Sequence, residues 1–251
     1  MIKVEQVSKT YGQAPVLQVD DLQVFPKRFT AFIGPNGAGK STLLSLMSRL
    51  MKKEEGCLYI KGQEIDSWGF REFAQELAIL KQQIHCQSKL TVEELVSFGR
   101  FPYSQGRLKE EDFEKIQAAI AHMGLDEFRD RYVDQLSGGQ LQRVFIAMVL
   151  AQDTDIILLD EPLNNLDMKQ GILMMRTLRD LVDKMGKTVV VVIHDINVAS
   201  QFVDHMVAFK DGQVFCQGSP SHVMKKEVLE EIYDINLELA IINGRSICLY
   251  Q

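Results

Sequence analysis

A chain of 251 residues has room for one large domain, or a core with a subdomain, and is too short for two ordinary full domains. Hydrophobic residues make up 46% and charged residues 25%, with only six prolines, which excludes a long disordered tract. A net charge of −6 argues against nucleic acid as the main partner, because binding a phosphate backbone needs a basic face.

Met1-Ile2-Lys3-Val4-Glu5 lacks a basic segment followed by an apolar one, so no secretory signal is expected and a cytoplasmic location follows. Ile2, Val4 and Val7, then Val16, Leu17, Val19, Leu22, Val24 and Phe25, alternate with polar residues as half-buried antiparallel strands do. Gly12 and Pro15 supply the turn. Residues 29–33 form an apolar strand that runs into a glycine-rich loop and a helix over about 40–50, with Leu43, Leu44, Leu46, Met47 and Leu50 on its buried side. Residues 56–65 predict a short hairpin and 77–80 a buried strand. From Thr91 to about Ala151 apolar residues recur at spacings of three and four, as an inserted helical subdomain would have them. A strand over 156–159, a helix over 168–184, a strand over 188–193 and a helix from Asp195 give the β-α rhythm of a parallel sheet. Asp211-Gly212 joins two further strands, and a short helical and stranded tail over about 221–250 follows. No apolar run approaches the roughly eighteen residues that cross a bilayer. Cys57, Cys86, Cys216 and Cys248 are far apart, with neither zinc-ligand spacing nor a disulfide framework, and are expected to be reduced, packed thiols.

Three segments carry chemistry. Gly34-Pro35-Asn36-Gly37-Ala38-Gly39-Lys40-Ser41-Thr42 lies between a strand and a helix and fits the phosphate-binding loop, whose glycines let backbone N–H groups wrap an anion at a helix start. Lys40 is expected to reach the β- and γ-phosphates and Ser41 to bind Mg²⁺. The strand Ile156-Ile157-Leu158-Leu159 ends in Asp160-Glu161, two acids that are costly there unless a cation or a reacting water satisfies them. Asp160 suits the Mg²⁺ surroundings and Glu161 suits a general base. Leu136-Ser137-Gly138-Gly139-Gln140 places a serine and two glycines at a helix start, which local physics reads as a helix cap with a hinge or as a second anion site.

The order of these segments resembles the ATP-binding subunits of ABC transporters over essentially the whole chain. The resemblance implies a P-loop NTPase (RecA-like) α/β core with an N-terminal antiparallel β subdomain, spanning about 1–84 and 152–251, and a helical subdomain over about 85–151. It makes 136–140 the family signature, in which Ser137, Gly138, Gly139 and Gln140 complete the ATP site of a partner subunit, so two copies meet head to tail as a homodimer. It places Tyr11 against adenine, although an ordinary half-exposed strand tyrosine would look the same. It assigns Gln82 to Mg²⁺ and the attacking water, with Gln83 one register away, Asp167 to the dimer interface, and His194 to the γ-phosphate. Asn165 stands where the family often has Ser or Ala, and its role is open. His85, His122, His205 and His222 match nothing.

A narrower resemblance is to subunits of iron(III)-siderophore and cobalamin importers, carried by Val96-Ser97-Phe98-Gly99-Arg100-Phe101-Pro102-Tyr103, by Glu161-Pro162-Leu163-Asn164-Asn165-Leu166-Asp167 and by Leu229-Glu230-Glu231-Ile232-Tyr233. It implies ATP and Mg²⁺ as ligands, integral membrane permeases as partners, a siderophore-binding protein outside the membrane acting indirectly, and a place on the cytoplasmic face of the membrane. Catechol-type siderophores are the first choice of cargo. A heme or cobalamin importer, or an ABC ATPase outside transport, are the alternatives.

Overall fold

The computed structural model describes residues 1–12, 14–81, 89–242 and 244–250. Twelve strands are described: β1 (Ile2–Tyr11), β2 (Ala14–Val24), β3 (Phe29–Ile33), β4 (Glu55–Ile60), β5 (Gln63–Glu64), β6 (Leu77–Leu80), β7 (Ile156–Asp160), β8 (Thr188–Val192), β9 (His205–Lys210), β10 (Gln213–Gly218), β11 (Leu237–Ile242) and β12 (Arg245–Tyr250). The helices are α1 (Lys40–Met47), α2 (Phe70–Glu76), α3 (Val92–Ser97), α4 (Phe101–Ser104), α5 (Glu110–His122), α6 (Gly138–Ala151), α7 (Met168–Asp183), α8 (Ile196–Phe202), α9 (Pro220–Val223) and α10 (Lys226–Tyr233).

The central sheet has the order β10-β9-β3-β8-β7-β6, parallel except for β10. Every residue of β3, β7 and β8 is buried, as expected for strands covered on both faces. Alternation sorts their side chains between two cores. Phe29, Ala31, Ile33, Ile157, Leu159, Val189 and Val191 face a core shared with α3, α5, α6 and α7. Phe32, Ile156, Leu158, Val190 and Val192 face a core shared with α1 and the antiparallel sheet β2-β1-β4-β5. The period-two reading of β1 and β2 therefore holds, with Val4 paired to Leu22 and Val7 to Val19, all buried.

Between β6 and β7 the chain leaves the sheet and packs α3, α5 and α6 against one another. The helical pattern there is broken at Gln105, Gly106 and Gly124, all with positive φ, where the chain reverses. Arg100 joins the pieces: its Nε donates to Asp112 Oδ1 at 2.8 Å, its Nη1 to the Ala151 carbonyl at 2.9 Å, and its guanidinium lies 4.0 Å from the centre of the Tyr103 ring.

Two elements depart from the sequence reading. The first helix stops at Met47, before Leu50, and Arg49 adopts φ 59° just beyond it. Helix α2 had no counterpart, because two turns that bury only Phe73 show too little periodicity to register. Among the described residues, no helix is long and apolar enough to cross a membrane, and Cys57, Cys216 and Cys248 are free thiols. Gln82, Gln83, His85 and Cys86 lie outside the described residues.

The consequence for function is positional. Phe32 and Asp160 both pair with Val192, so β3, β8 and β7 end level with one another. The segments leaving those ends carry Gly34 to Thr42, Asp160-Glu161 and His194, and parallel sheets bind their ligands at this edge.

Candidate active site

The loop after β3 is shaped by glycine. Gly34 has φ 134°, and a Cβ there would stand 2.2 Å from the Phe209 carbonyl oxygen, so no side chain fits. Gly39, at φ 95°, begins α1, and Leu43 N–H bonds its carbonyl at 2.9 Å. Lys40 is buried and folds back over the loop, its ammonium donating to the carbonyls of Gly34 and Pro35, each at 2.7 Å. Burial pushes its pKa down, and the nearby Glu161 and Asp160 carboxylates oppose that shift.

One residue further on, Ser41 Oγ donates to Asp160 Oδ1 at 2.8 Å. Asp160 is buried, and burial pushes its carboxyl pKa up, with Glu161 adding to the shift while Ser41 and Lys40 oppose it. Two oxygen donors so placed, one an acid whose ionised form lacks solvent, suit a hard divalent cation.

Glu161 follows in the left-handed region at φ 52° and bonds through its N–H to the Val192 carbonyl at 3.1 Å. Its side chain is only 10% exposed, and Oε1 lies 2.7 Å from His194 Nε2. Oε2 accepts from Asn164 Nδ2 at 2.6 Å. His194 is half-exposed at the end of β8, where Asp195 caps α8 by accepting from Val198 N–H at 2.9 Å.

Lys40, Ser41, Glu161 and His194 open on one cavity of about 530 Å³, lined also by Tyr11, Val16 and the rest of residues 36–42. That volume falls in the range of small-molecule sites. Tyr11 is 53% exposed at its rim, with its hydroxyl 3.4 Å from Met51 Sδ. A second recess beyond Ser41 and Asp160 is lined by Tyr11, Thr42, Ser45, Met51 and Lys81.

The remaining expected residues do not reach this cavity in the single chain. Ser137 caps α6 reciprocally with Gln140, its Oγ accepting from Gln140 N–H at 3.3 Å and its own N–H donating to Gln140 Oε1 at 2.9 Å. Gly138 and Gly139 lie against the turn at Asn165 and Leu166, where a Cβ on either would meet atoms at 3.5 and 3.2 Å. Asp167 caps α7 through Gln170 N–H at 2.8 Å. His122 and His222 are on the surface, and His205 packs edge-on against Phe25. A smaller apolar cleft between α5 and α7 is lined by His122 and by Lys115 and Lys187, both paired with Asp153.

Two residues of the site escaped the sequence reading, Val16 in the cavity wall and Asn164 bonded to Glu161. Val16 read only as an alternating strand position, and Asn164 only as part of a longer run. A short amide three residues after a candidate base, within a turn, was the available signal for Asn164.

The family model for ABC transporters matches residues 17–164, more than half of the chain, across both the phosphate loop and the Asp160-Glu161 segment. The chain belongs to the ABC transporter family. This ABC transporter chain is 53% identical over 250 residues to the petrobactin import ATP-binding protein YclP of Bacillus subtilis (strain 168), covering 100% of this chain and 99% of that protein. It is 38% identical over 236 residues to the ferric enterobactin transport ATP-binding protein FepC of Escherichia coli (strain K12), covering 93% and 87%. Among solved structures, the dimeric MJ0796 ABC transporter cassette superposes with a TM-score of 0.79 at 35% identity, covering 88% of this chain and 99% of that one. The α/β P-loop fold expected from the sequence is thus the fold observed.

Proposed function

We propose that this chain is the ATP-hydrolysing subunit of an importer of iron(III)-siderophores, acting as one of two identical subunits that drive an integral membrane permease from the cytoplasmic face. The observation that supports it best is the convergence of Lys40, Ser41 and the Glu161–His194 pair on one cavity at the ends of three adjacent parallel strands, with Asp160 hydrogen-bonded to Ser41. The cargo reading rests on the relatives, whose names specify import of petrobactin and transport of ferric enterobactin. Catechol-type siderophores are the favoured cargo, delivered to the permease by a binding protein that does not touch this chain.

In this reading Tyr11 stacks on adenine and the loop N–H groups from Asn36 to Thr42, with Pro35 and Gly34 shaping their curve, enclose the phosphates. Lys40 exchanges its two carbonyl acceptors for phosphate oxygens when nucleotide binds. Ser41 and Asp160 would hold Mg²⁺, together with Gln82, and the ion would supply neutralisation of phosphate charge. Glu161 accepts the proton of the attacking water, whose oxygen bonds to the γ-phosphorus as the bridging oxygen leaves with ADP. His194 orients that water. Ser137, Gly138, Gly139 and Gln140, with Asp167, serve the partner's nucleotide, which accounts for their distance from the cavity of their own chain.

The test is Glu161→Gln in the full chain. It should bind ATP, lose turnover by about 10²- to 10⁴-fold and accumulate as an ATP-bound dimer on size exclusion. Turnover at the parental rate would remove the reading. In cells, the same substitution should stop uptake of iron(III) carried by a catechol siderophore, and loss of heme or cobalamin uptake instead would reassign the cargo.

A further inference from the structure

Glu161 is gripped at both carboxylate oxygens, and the two grips differ in kind. Oε1 meets His194, a half-exposed side chain from the end of a different strand. Oε2 meets Asn164, three residues along the same turn, at 2.6 Å. That turn is closed by Asn164 N–H on the Glu161 carbonyl at 3.2 Å and by Leu166 N–H on the Leu163 carbonyl at 3.2 Å.

We propose that Asn164 is a positioning residue for hydrolysis, its amide nitrogen holding Glu161 Oε2 so that Oε1 keeps its aim at the water. The proposal rests on Glu161 being the general base. A water placed between His194 and Glu161 has to part their direct contact, since 2.7 Å leaves no room for it. At that moment the Oε1–His194 contact opens. The Asn164 bond lies on the opposite oxygen and inside one turn, so it can persist while the other opens.

Chemistry fixes the direction of this bond. An ionised carboxylate only accepts, so the Asn164 amide turns its NH₂ toward it and its oxygen away. The restraint also has a task, because Glu161 and Asn165 both hold positive φ, at 52° and 64°, which residues other than glycine seldom adopt. A backbone of that kind persists where surrounding bonds over-determine it, and the Asn164–Glu161 bond is one that also fixes the reacting group.

Asn164→Asp separates positioning from folding. Aspartate has the same shape and forms the same turns, but it offers Glu161 an acceptor and a like charge in place of a donor. Steady-state ATP hydrolysis by the purified full chain should show kcat reduced at least about tenfold in both Asn164→Ala and Asn164→Asp, with the KM for ATP within about twofold of the parent. Glu161→Gln is measured beside them. If Glu161→Gln is inactive while both Asn164 variants turn over at the parental rate, the positioning role is overturned and the base reading stands. A rise in KM matching the loss in kcat/KM, with kcat unchanged, overturns it equally, since Asn164 would then act in binding. An active Glu161→Gln removes the base itself, and this proposal with it.

Discussion

Ser41 and Asp160 lie 119 positions apart in the sequence and meet at 2.8 Å, joining the start of α1 to the end of β7. The serine hydroxyl is one of the groups that keep the buried Asp160 carboxyl from rising further toward its protonated form. The pair binds two motifs into one site, at the cost of a charge held away from water.

That cost predicts a trade-off. Asp160→Asn removes the buried charge and keeps a hydrogen-bond partner for Ser41, so the nucleotide-free chain should gain about 1 kcal/mol, or about 2–4 °C in melting temperature. Its ATP turnover should fall to background. Calorimetry and a phosphate-release assay on the same preparation check both halves, and a destabilised, active variant would contradict the assignment.

Lys40→Ala removes the cation that folds over the loop. Losing a charge-assisted bond of about 1.5–3 kcal/mol should weaken ATP binding by about 10- to 100-fold in equilibrium titration. Removing a buried cation that already accepts a lowered pKa should leave the fold intact, as circular dichroism would show. Unchanged affinity would remove the phosphate-loop reading.

Ser137 caps a helix outside the cavity of its own chain, so its effect on turnover should appear only in trans. Ser137→Arg should still bind ATP as a dilute single chain but lose hydrolysis. Mixed with Lys40→Ala, it should recover activity, because the mixed dimer contains one site built from two intact halves. A mixture as inactive as its components would refute the shared site.

The pair Arg100–Asp112 predicts a pH dependence of stability. Burial alone would raise the Asp112 pKa, but the Lys109 N–H and the Arg100 guanidinium outweigh it and hold the carboxyl below its usual value. A depressed folded pKa means that the stabilisation is complete above pH ~4, the ordinary carboxylate value, and is lost as pH falls through the lower folded one. Asp112→Ala, which leaves Arg100 buried without its partner, should cost about 3–5 kcal/mol at neutral pH in urea unfolding. The difference from the parent should shrink on acidification, and a difference independent of pH would show the carboxylate to be irrelevant.

Much of this architecture could be read from residue patterns because the signals are local. Alternation in β1 and β2, the apolar runs of β3, β7 and β8, and the glycine loop each announce themselves within about ten residues. Helix α2 did not, since a seven-residue helix burying one phenylalanine leaves no periodic trace. Nothing in the sequence marked Arg100 and Asp112 as a pair, because burial of a pair depends on what packs over it.

By itself the sequence determined the chemical inventory: a loop able to wrap phosphates, a strand ending in two acids, a histidine after the next strand, and a serine-glycine helix start. Only the tertiary structure decided which of them act together. Level ends of β3, β8 and β7 bring Ser41 to Asp160 and His194 to Glu161, while Ser137 stays outside that cavity, and Asn164 takes the second oxygen of Glu161. The physical reason is that a hydrogen bond operates over about 3 Å, and only the packed sheet brings Ser41 to Asp160, 119 positions away, and Glu161 to His194, at the end of a different strand, within that reach.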